Sequence, residues 1–397
     1  MALTDAVRPE PSRQGVPHRG ADGQSMEERI LQFGAGRFLR AFCDLFIQNA
    51  LDDGQDVGRV VVAQSTAGDR ASLLNVQGGR FHVWISGSLA GAPVDRVEEV
   101  SCVSRALVVE QDWDRLLALA RSPHLRQVIS NTTEKGYELD EADRPGQAPP
   151  ASFPARLLLL LRARWGAGLP GLSILPCELV ENNGDRLRAL VTTLARRWAL
   201  PADFAEWLTG RCAWHNTLVD RIVASPGRPR PGIEGDRLAT VADPFALWAI
   251  QERPGVPPFL RHPCVRYVRD VGPFALRKIR ILNGAHTALV CKALPSGIET
   301  VREAVEAPAI RRWLETLLFE EIVPTLEGRV EEPRWFAKAA LERFRNPRIE
   351  HRLRDIALYN QAKVEIRLAT TRNEYVQRFG RRPPLLDELL AAAGRSF

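Results

Sequence analysis

The stretch ILQFGAGRFLRAF at 30–42 decides how the fold is read. Its first residues form a short apolar run of the kind found in buried strands, and from Phe38 the pattern becomes helical, over 38–51. Gly34 and Gly36 stand between the two, where a strand has to turn sharply into a helix. Such a turn lets the backbone approach a pyrophosphate lying on the helix N-terminus. Phe33, Gly34, Ala35, Gly36, Arg37 and Phe38 are therefore the candidate cofactor cradle. Leu39 stands where the usual fingerprint has its third glycine, so on this feature alone an ordinary strand-to-helix turn stays open.

Outward from this stretch, short β-rich runs at 58–64, 81–86, 126–131 and 172–176 alternate with helical patterns at 113–120 and 154–165. Strands separated by helices of that length predict a parallel α/β sheet. From about 185 the pattern is mostly helical: 187–198, 203–208, 244–251, 283–293, 301–323, 333–344, 349–371 and 385–393. The loop SPGRPRPGIEGD at 225–236 suits neither helix nor strand and reads as the boundary. The expected organisation is a polar leader at 1–27, an α/β Rossmann-type N-terminal domain at 28–228 and a mainly α-helical C-terminal domain at 229–397.

The 397 residues are 45% hydrophobic and 26% charged, which excludes a disordered or fibrous chain. The longest apolar run, at 245–250, is far too short for a membrane span. The leader lacks the apolar segment of a signal peptide, and six cysteines without a CxxC pair suit a reducing, cytoplasmic setting with neither disulfides nor structural zinc. Net charge is only +6 and is spread along the chain, and no nucleic-acid motif accompanies the arginines. Only five of the 54 basic residues are lysines. A retained lysine thus draws notice, because guanidinium cannot exchange protons near neutrality.

One of those lysines lies in RKIRILNGAHTALV at 277–290, with Lys278, Asn283 and His286. On a helix Asn283 and His286 share a face, and Lys278 precedes them by one to two turns. Together they could supply a proton acceptor and two donors for a developing oxyanion, although a polar helix face would look the same. In the first half, the second strand ends at Ala63-Gln64-Ser65 without an acid. Asp69 is the candidate for the ribose contact, or else a solvated loop residue. Asn131, Thr132 and Thr133 close a predicted strand where a cofactor would cross the sheet, and with Glu134, which follows, they are candidate cofactor contacts; Lys135 comes next.

These segments, with SNTTEKGY (130–137), SFPARL (152–157), LPCELVENNGD (175–185), NTLVDRIV (216–223) and RFRNPRIEH (343–351), make the chain resemble the mannitol dehydrogenase family of polyol-specific long-chain dehydrogenases. The family carries K-x4-N-x2-H, and the likeness extends along nearly the whole chain. It implies that Lys278 is the general acid/base, that Asn283 and His286 hold the alkoxide, and that no metal takes part. It also implies NAD as cofactor, with NADP left open, and a small keto sugar acid or polyol as substrate. The likeness is greatest to the hexuronate branch, which interconverts D-tagaturonate and D-altronate. Fructuronate reduction, polyol 2-dehydrogenation and a ligand-binding relative without turnover are the alternatives. Asn183 and Asp220 look like the family's substrate-cleft residues, although Asp220 could instead pair with Arg221. Lys363 and Arg367 match the family's K-x-x-x-R, after which an expected ILPQLL-like continuation is missing, so the helical domain reads as shortened. By the same resemblance the protein is expected to be a monomer, and its charge distribution and short apolar runs predict that it binds neither nucleic acid nor membrane.

Overall fold

The computed structural model describes residues 26–132, 134–227 and 230–396. The leader through residue 25 lies outside them. Strands β1 (Glu28–Phe33) and β2 (Arg59–Gln64) are followed by β3 (Phe81–Leu89), β4 (Ala92–Val100) and β5 (Val103–Val108). Next come β6 (Gln127–Ser130), β7 (Ser173–Pro176) and β8 (Ala213–Trp214). Six of these form one sheet in the order β5-β2-β1-β6-β7-β8, every neighbouring pair parallel. Numbered along the chain, that order is third, second, first, fourth, fifth, sixth, the arrangement of dinucleotide-binding sheets. The strand order reverses between β1 and β6, and in sheets of this kind the ligand crevice lies there, at the carboxyl ends of the strands.

The strands read as almost unbroken Val, Ile and Leu because both sheet faces are covered. Val60 and Val62 pack with the helix Cys43–Asp52 and with β3, whereas Val61 and Ala63 pack under the helices Trp113–Ala120, Phe153–Gly166 and Asn183–Arg197. Alternation along each strand thus feeds two separate cores.

The run at 81–86 is a strand, but not of the parallel sheet. It extends to Leu89 and turns through Ala90 and Gly91, both at positive φ, into β4. Positive φ at both central residues matches the twist of a two-residue hairpin. The strand β4, APVDRVEEV, was hidden in the sequence because its charged residues give it a polar look, and it lies at the edge of its sheet. The 4-stranded second sheet is completed by β10 (Val223–Ala224) and β11 (Thr240–Ala242), which flank the Pro/Gly-rich loop.

The segment 244–251, expected as helix, contains β12 (Leu247–Gln251), which lies between β9 (Thr217–Asp220) and β13 (Val265–Val268). A short apolar run has no periodicity that separates buried helix from buried strand, and here strands on both sides claim its backbone groups. Helices begin in earnest at Gly272 and continue to Ser396. Among them Gly284–Ala293 is buried on nearly every side and forms the centre of the helical core. The expected helix 301–323 is interrupted at Pro308, and 349–371 is interrupted at Tyr359, whose φ is +57°.

A buried charge cluster joins the helical part to the strands. Arg343, on the helix Pro333–Phe344, donates to both carboxylate oxygens of Asp220 (2.9 and 3.3 Å) and through Nε to Asp243. All three side chains are at most 2% exposed. Arg221 does not pair with Asp220. Its guanidinium turns away to the carbonyls of Asp243 and Ala41. Removing one partner of such a cluster strands the others, so Arg343→Met should lower unfolding free energy in urea by about 3–5 kcal/mol. The exposed Arg352→Met control should stay within about 0.5 kcal/mol.

Candidate functional site

The glycine turn sits at the strand-order reversal, where the chain leaves β1. Gly34 has φ +124°, and a Cβ there would meet the Asn131 carbonyl oxygen at 3.1 Å and Leu39 Cδ1 at 3.2 Å. Leu39, in place of the third glycine, is buried and fills the space beneath the turn. At Gly36 a Cβ would meet nothing within 4 Å, so the face that would receive a pyrophosphate is open and the turn fits a dinucleotide. Phe33 and Ala35 are buried, Phe33 edge-on to Phe153, and can offer only backbone, whereas Arg37 is exposed. Phe38 stacks on Phe42, and Arg40 braces the turn from behind by donating to the Ala35 carbonyl at 2.6 Å.

Across the crevice, Glu178 of the PCEL segment organises the end of β6. Its buried carboxylate accepts from the Thr132 N–H and hydroxyl, from Ser130 and from Tyr137. Burial pushes its proton affinity up, and the hydrogen bonds from Thr132 and Ser130 oppose that. Asn131 donates to the Cys177 carbonyl at 2.8 Å. Thr133 lies outside the described residues, and Glu134 opens the short turn Glu134–Tyr137. The strand segments at 130 and 176 were legible, but Glu178 was not singled out, because PCEL carries no chemical spacing of its own.

Asn183 is not available to a substrate. Its amide nitrogen donates toward the Pro176, Glu178 and Thr217 carbonyls, while its oxygen accepts from the Gly184 and Thr217 N–H groups. It is 1% exposed and ties the Glu178 segment to β9. Asp69 is likewise not a clean ribose ligand, since it is exposed and ion-paired to Arg237 at 3.0 Å.

The strand β9 carries the connection to the second cluster. The Val219 carbonyl accepts from Lys278 Nζ at 2.7 Å, next to Asp220 and its Arg343. Lys278 opens a π-helix, Lys278–Asn283, that runs into the helix Gly284–Ala293. In a regular α-helix residues five apart would point about 140° from each other. The i→i+5 bonding of a π turn instead brings positions 278 and 283 close to alignment, with His286 one turn beyond. Lys278 and His286 are both buried, and Asn283 is half-buried.

Burial lowers the Lys278 proton affinity, with Arg343 and Arg367 adding to the effect and Asp220 opposing it. His286 is pushed well below its ordinary range by burial, then by His351, Arg343, Arg367 and Lys278, so it is a neutral imidazole. Its Nε2 has no partner among the described residues. His351 stands edge-on to it at 4.6 Å, and Phe344 packs on the ring at 4.5 Å. Arg367 donates to Thr287, the residue after His286, whereas Lys363 donates to the Ile356 carbonyl. Arg343, Asp243 and His351 had not been assigned roles, although Arg343 and His351 lie in the RFRNPRIEH segment.

Among the described residues no group of three or more His, Cys, Asp or Glu could hold a metal, and no helix is long and apolar enough to cross a membrane. All six cysteines are free, four of them buried.

A parallel sheet of this order, a glycine turn at its reversal and a buried lysine presented by a helical core define a dinucleotide-binding oxidoreductase. The Mannitol dehydrogenase Rossmann domain model matches residues 28–258, and the Mannitol dehydrogenase C-terminal domain model matches 270–393. The chain belongs to the mannitol dehydrogenase family. It is 39% identical to altronate oxidoreductase of Yersinia pestis bv. Antiqua (strain Nepal516), over 96% of this chain and 82% of that protein. It is 36% identical to altronate oxidoreductase of Bacillus subtilis (strain 168), over 90% and 77%. A Pseudomonas fluorescens mannitol 2-dehydrogenase solved with NAD and D-mannitol superposes with a TM-score of 0.77 at 22% identity, covering 92% of this chain and 78% of that one.

The two glycines should respond differently to alanine. Gly34→Ala, strained and crowded, should cost about 1–3 kcal/mol of stability. Gly36→Ala should leave stability within about 0.5 kcal/mol yet weaken NADH binding, read by tryptophan quenching, by about tenfold.

Proposed function

We propose that this chain is an NAD(H)-dependent oxidoreductase that interconverts D-tagaturonate and D-altronate without a metal. The observation that carries the reading is the Lys278–Asn283–His286 group, with its lysine and histidine buried, supported by the identity to altronate oxidoreductases along nearly the whole chain. The nicotinamide, when bound, supplies or accepts the hydride.

The proton work falls to Lys278. One Nζ hydrogen is spent on the Val219 carbonyl, which aims the ammonium and leaves its other donors for a ketone oxygen. As that oxygen gains electron density, Lys278 hands it a proton. Asn283 and the neutral His286 are the donors for the same oxygen, whose developing charge they stabilise. A neutral imidazole suits that task, because it donates a hydrogen bond without competing to release the proton. Arg367 supplies a guanidinium at Thr287, and a carboxylate on the substrate is the natural counter-charge for it. Free cysteines suit a reducing cytoplasm as the setting.

The test is NADH oxidation followed by absorbance with D-tagaturonate, D-fructuronate and D-fructose in parallel, with and without EDTA. Turnover of tagaturonate that EDTA does not change is expected. Lack of turnover with all three would overturn the reading. Lys278→Ala should lower kcat by about 10²–10⁴-fold. Reduction needs the ammonium, so its rate should fall as pH rises through the lowered Lys278 pKa, while oxidation rises over the same range. Both midpoints should lie below the ordinary lysine value of 10.5.

A further inference from the structure

We propose that the chain also takes NADP(H), its ribose 2′-phosphate seated in an arginine-lined cavity beside the glycine turn. The proposal rests on the dinucleotide reading above and names a second cofactor class for the same site. The cavity measures about 450 Å³ and lies between Arg37 of the turn, Asp69 and Arg70 of the loop after β2, and Arg230 and Arg237 of the Pro/Gly-rich loop. That loop, which the sequence suggested as the domain boundary, is thus one wall of the cavity. In a sheet of this strand order, the residues following the second strand face the adenosine ribose. A carboxylate there accepts from the 2′-hydroxyl, and an arginine accommodates a 2′-phosphate.

At this position the structure provides donors in excess of acceptors. Gln64, at the end of β2, is buried and folded back on its own loop, donating to the Thr66 and Gly68 carbonyls and accepting from the Ala71 N–H. No carboxylate stands at the strand end. Asp69 is the acid nearest to it in sequence, and its Oδ2 is taken by Arg237 at 3.0 Å, with both side chains more than 60% exposed. An exposed pair of this kind is worth little and yields readily to a doubly charged phosphate. The other two acids of the cavity are engaged. Asp236 accepts from the His82 N–H and Gln77, and Glu234 accepts from the Gly232 N–H of its own loop.

Among the arginines, Arg230 is held by Asp95 and lies 4.8 Å over Trp84, and Arg40 is buried behind the turn. Arg37 and Arg70 are exposed, and neither has an acidic partner among the described residues. Two guanidiniums with no acidic partner among the described residues, lining one cavity with an aspartate that is already paired, suit a phosphate monoester better than a hydroxyl, which would need an acceptor.

Fluorescence titration of the full chain with NADH and NADPH, with 2′,5′-ADP and 5′-AMP as competitors, tests this without reference to any sugar substrate. The expected result is NADPH affinity within about tenfold of NADH, and 2′,5′-ADP the stronger competitor. Arg70→Ala should lower the NADPH-to-NADH affinity ratio at least about tenfold, and Asp69→Ala should raise it. Arg70 is exposed and its side chain has no hydrogen bond or ion pair among the described residues, so its variant should fold and report on binding. NADH binding with NADPH weaker by about a thousandfold, and a ratio unmoved by Arg70→Ala, would overturn the proposal while leaving the NAD(H) reading intact. Binding of neither dinucleotide would overturn both.

Discussion

Arg343 lies where the sheets meet the helical core, and its hold on Asp220 and Asp243 is the constraint on which the site depends. The three residues come from segments far apart in the chain, so the cluster exists only when strands and helices have come together. Burying such charges is costly unless each finds a partner. Here one guanidinium satisfies two carboxylates, and Arg221 adds a second positive charge near Asp243. The arrangement gives little net stability over an apolar core, but its hydrogen-bonding geometry admits few alternative alignments. Lys278 benefits directly, because Asp220 is the group that keeps its proton affinity from falling further.

A chain of hydrogen bonds relates the two halves of the site. Glu178 holds the end of β6 opposite the glycine turn, Asn183 links the Glu178 segment to β9, and the Val219 carbonyl of β9 holds Lys278. Each member is buried, and each uses a directional bond where an apolar contact would allow slippage. The π turn at Lys278–Asn283 completes the alignment on the helical side. A π turn is less favourable than α-helix and persists where its surroundings hold it. The bond from Lys278 to Val219 is one such hold.

Much of this was legible in the sequence. The strand runs at 30–34, 58–64, 126–131 and 172–176 stand in the parallel sheet, and the helix at 333–344 has the expected bounds. These segments have apolar patterns long or regular enough to specify one state. The hidden parts are those whose state is set by distant neighbours. Strand β4 looks polar because it is an edge, and 244–251 looks helical until β9 and β13 flank it. Among the candidate site residues, the lysine, asparagine and histidine were visible as a spaced group, and the lysine drew notice because lysine is rare in this chain. Asn183 was misread because nothing local tells a buried linking amide from a ligand. Glu178 and Arg343 were passed over for the same reason, as their partners are remote in sequence.

The charges around Lys278 also bear on which substrates would suit its proposed role. Arg343, Arg367 and His286 lie near Lys278, and beyond burial the two arginines lower its proton affinity. Asp220 is the opposing charge, and Arg343 already claims it. A neutral polyol entering this cleft would leave the lysine's lowered proton affinity as it is. A carboxylate would offset it, raising the lysine's proton affinity at the moment when reduction calls for an acid. The same anion would make His286 easier to protonate, but His286 starts from so low a proton affinity that it stays a neutral donor. An acidic sugar therefore supplies part of the electrostatics that its own reduction requires, which a neutral one cannot do.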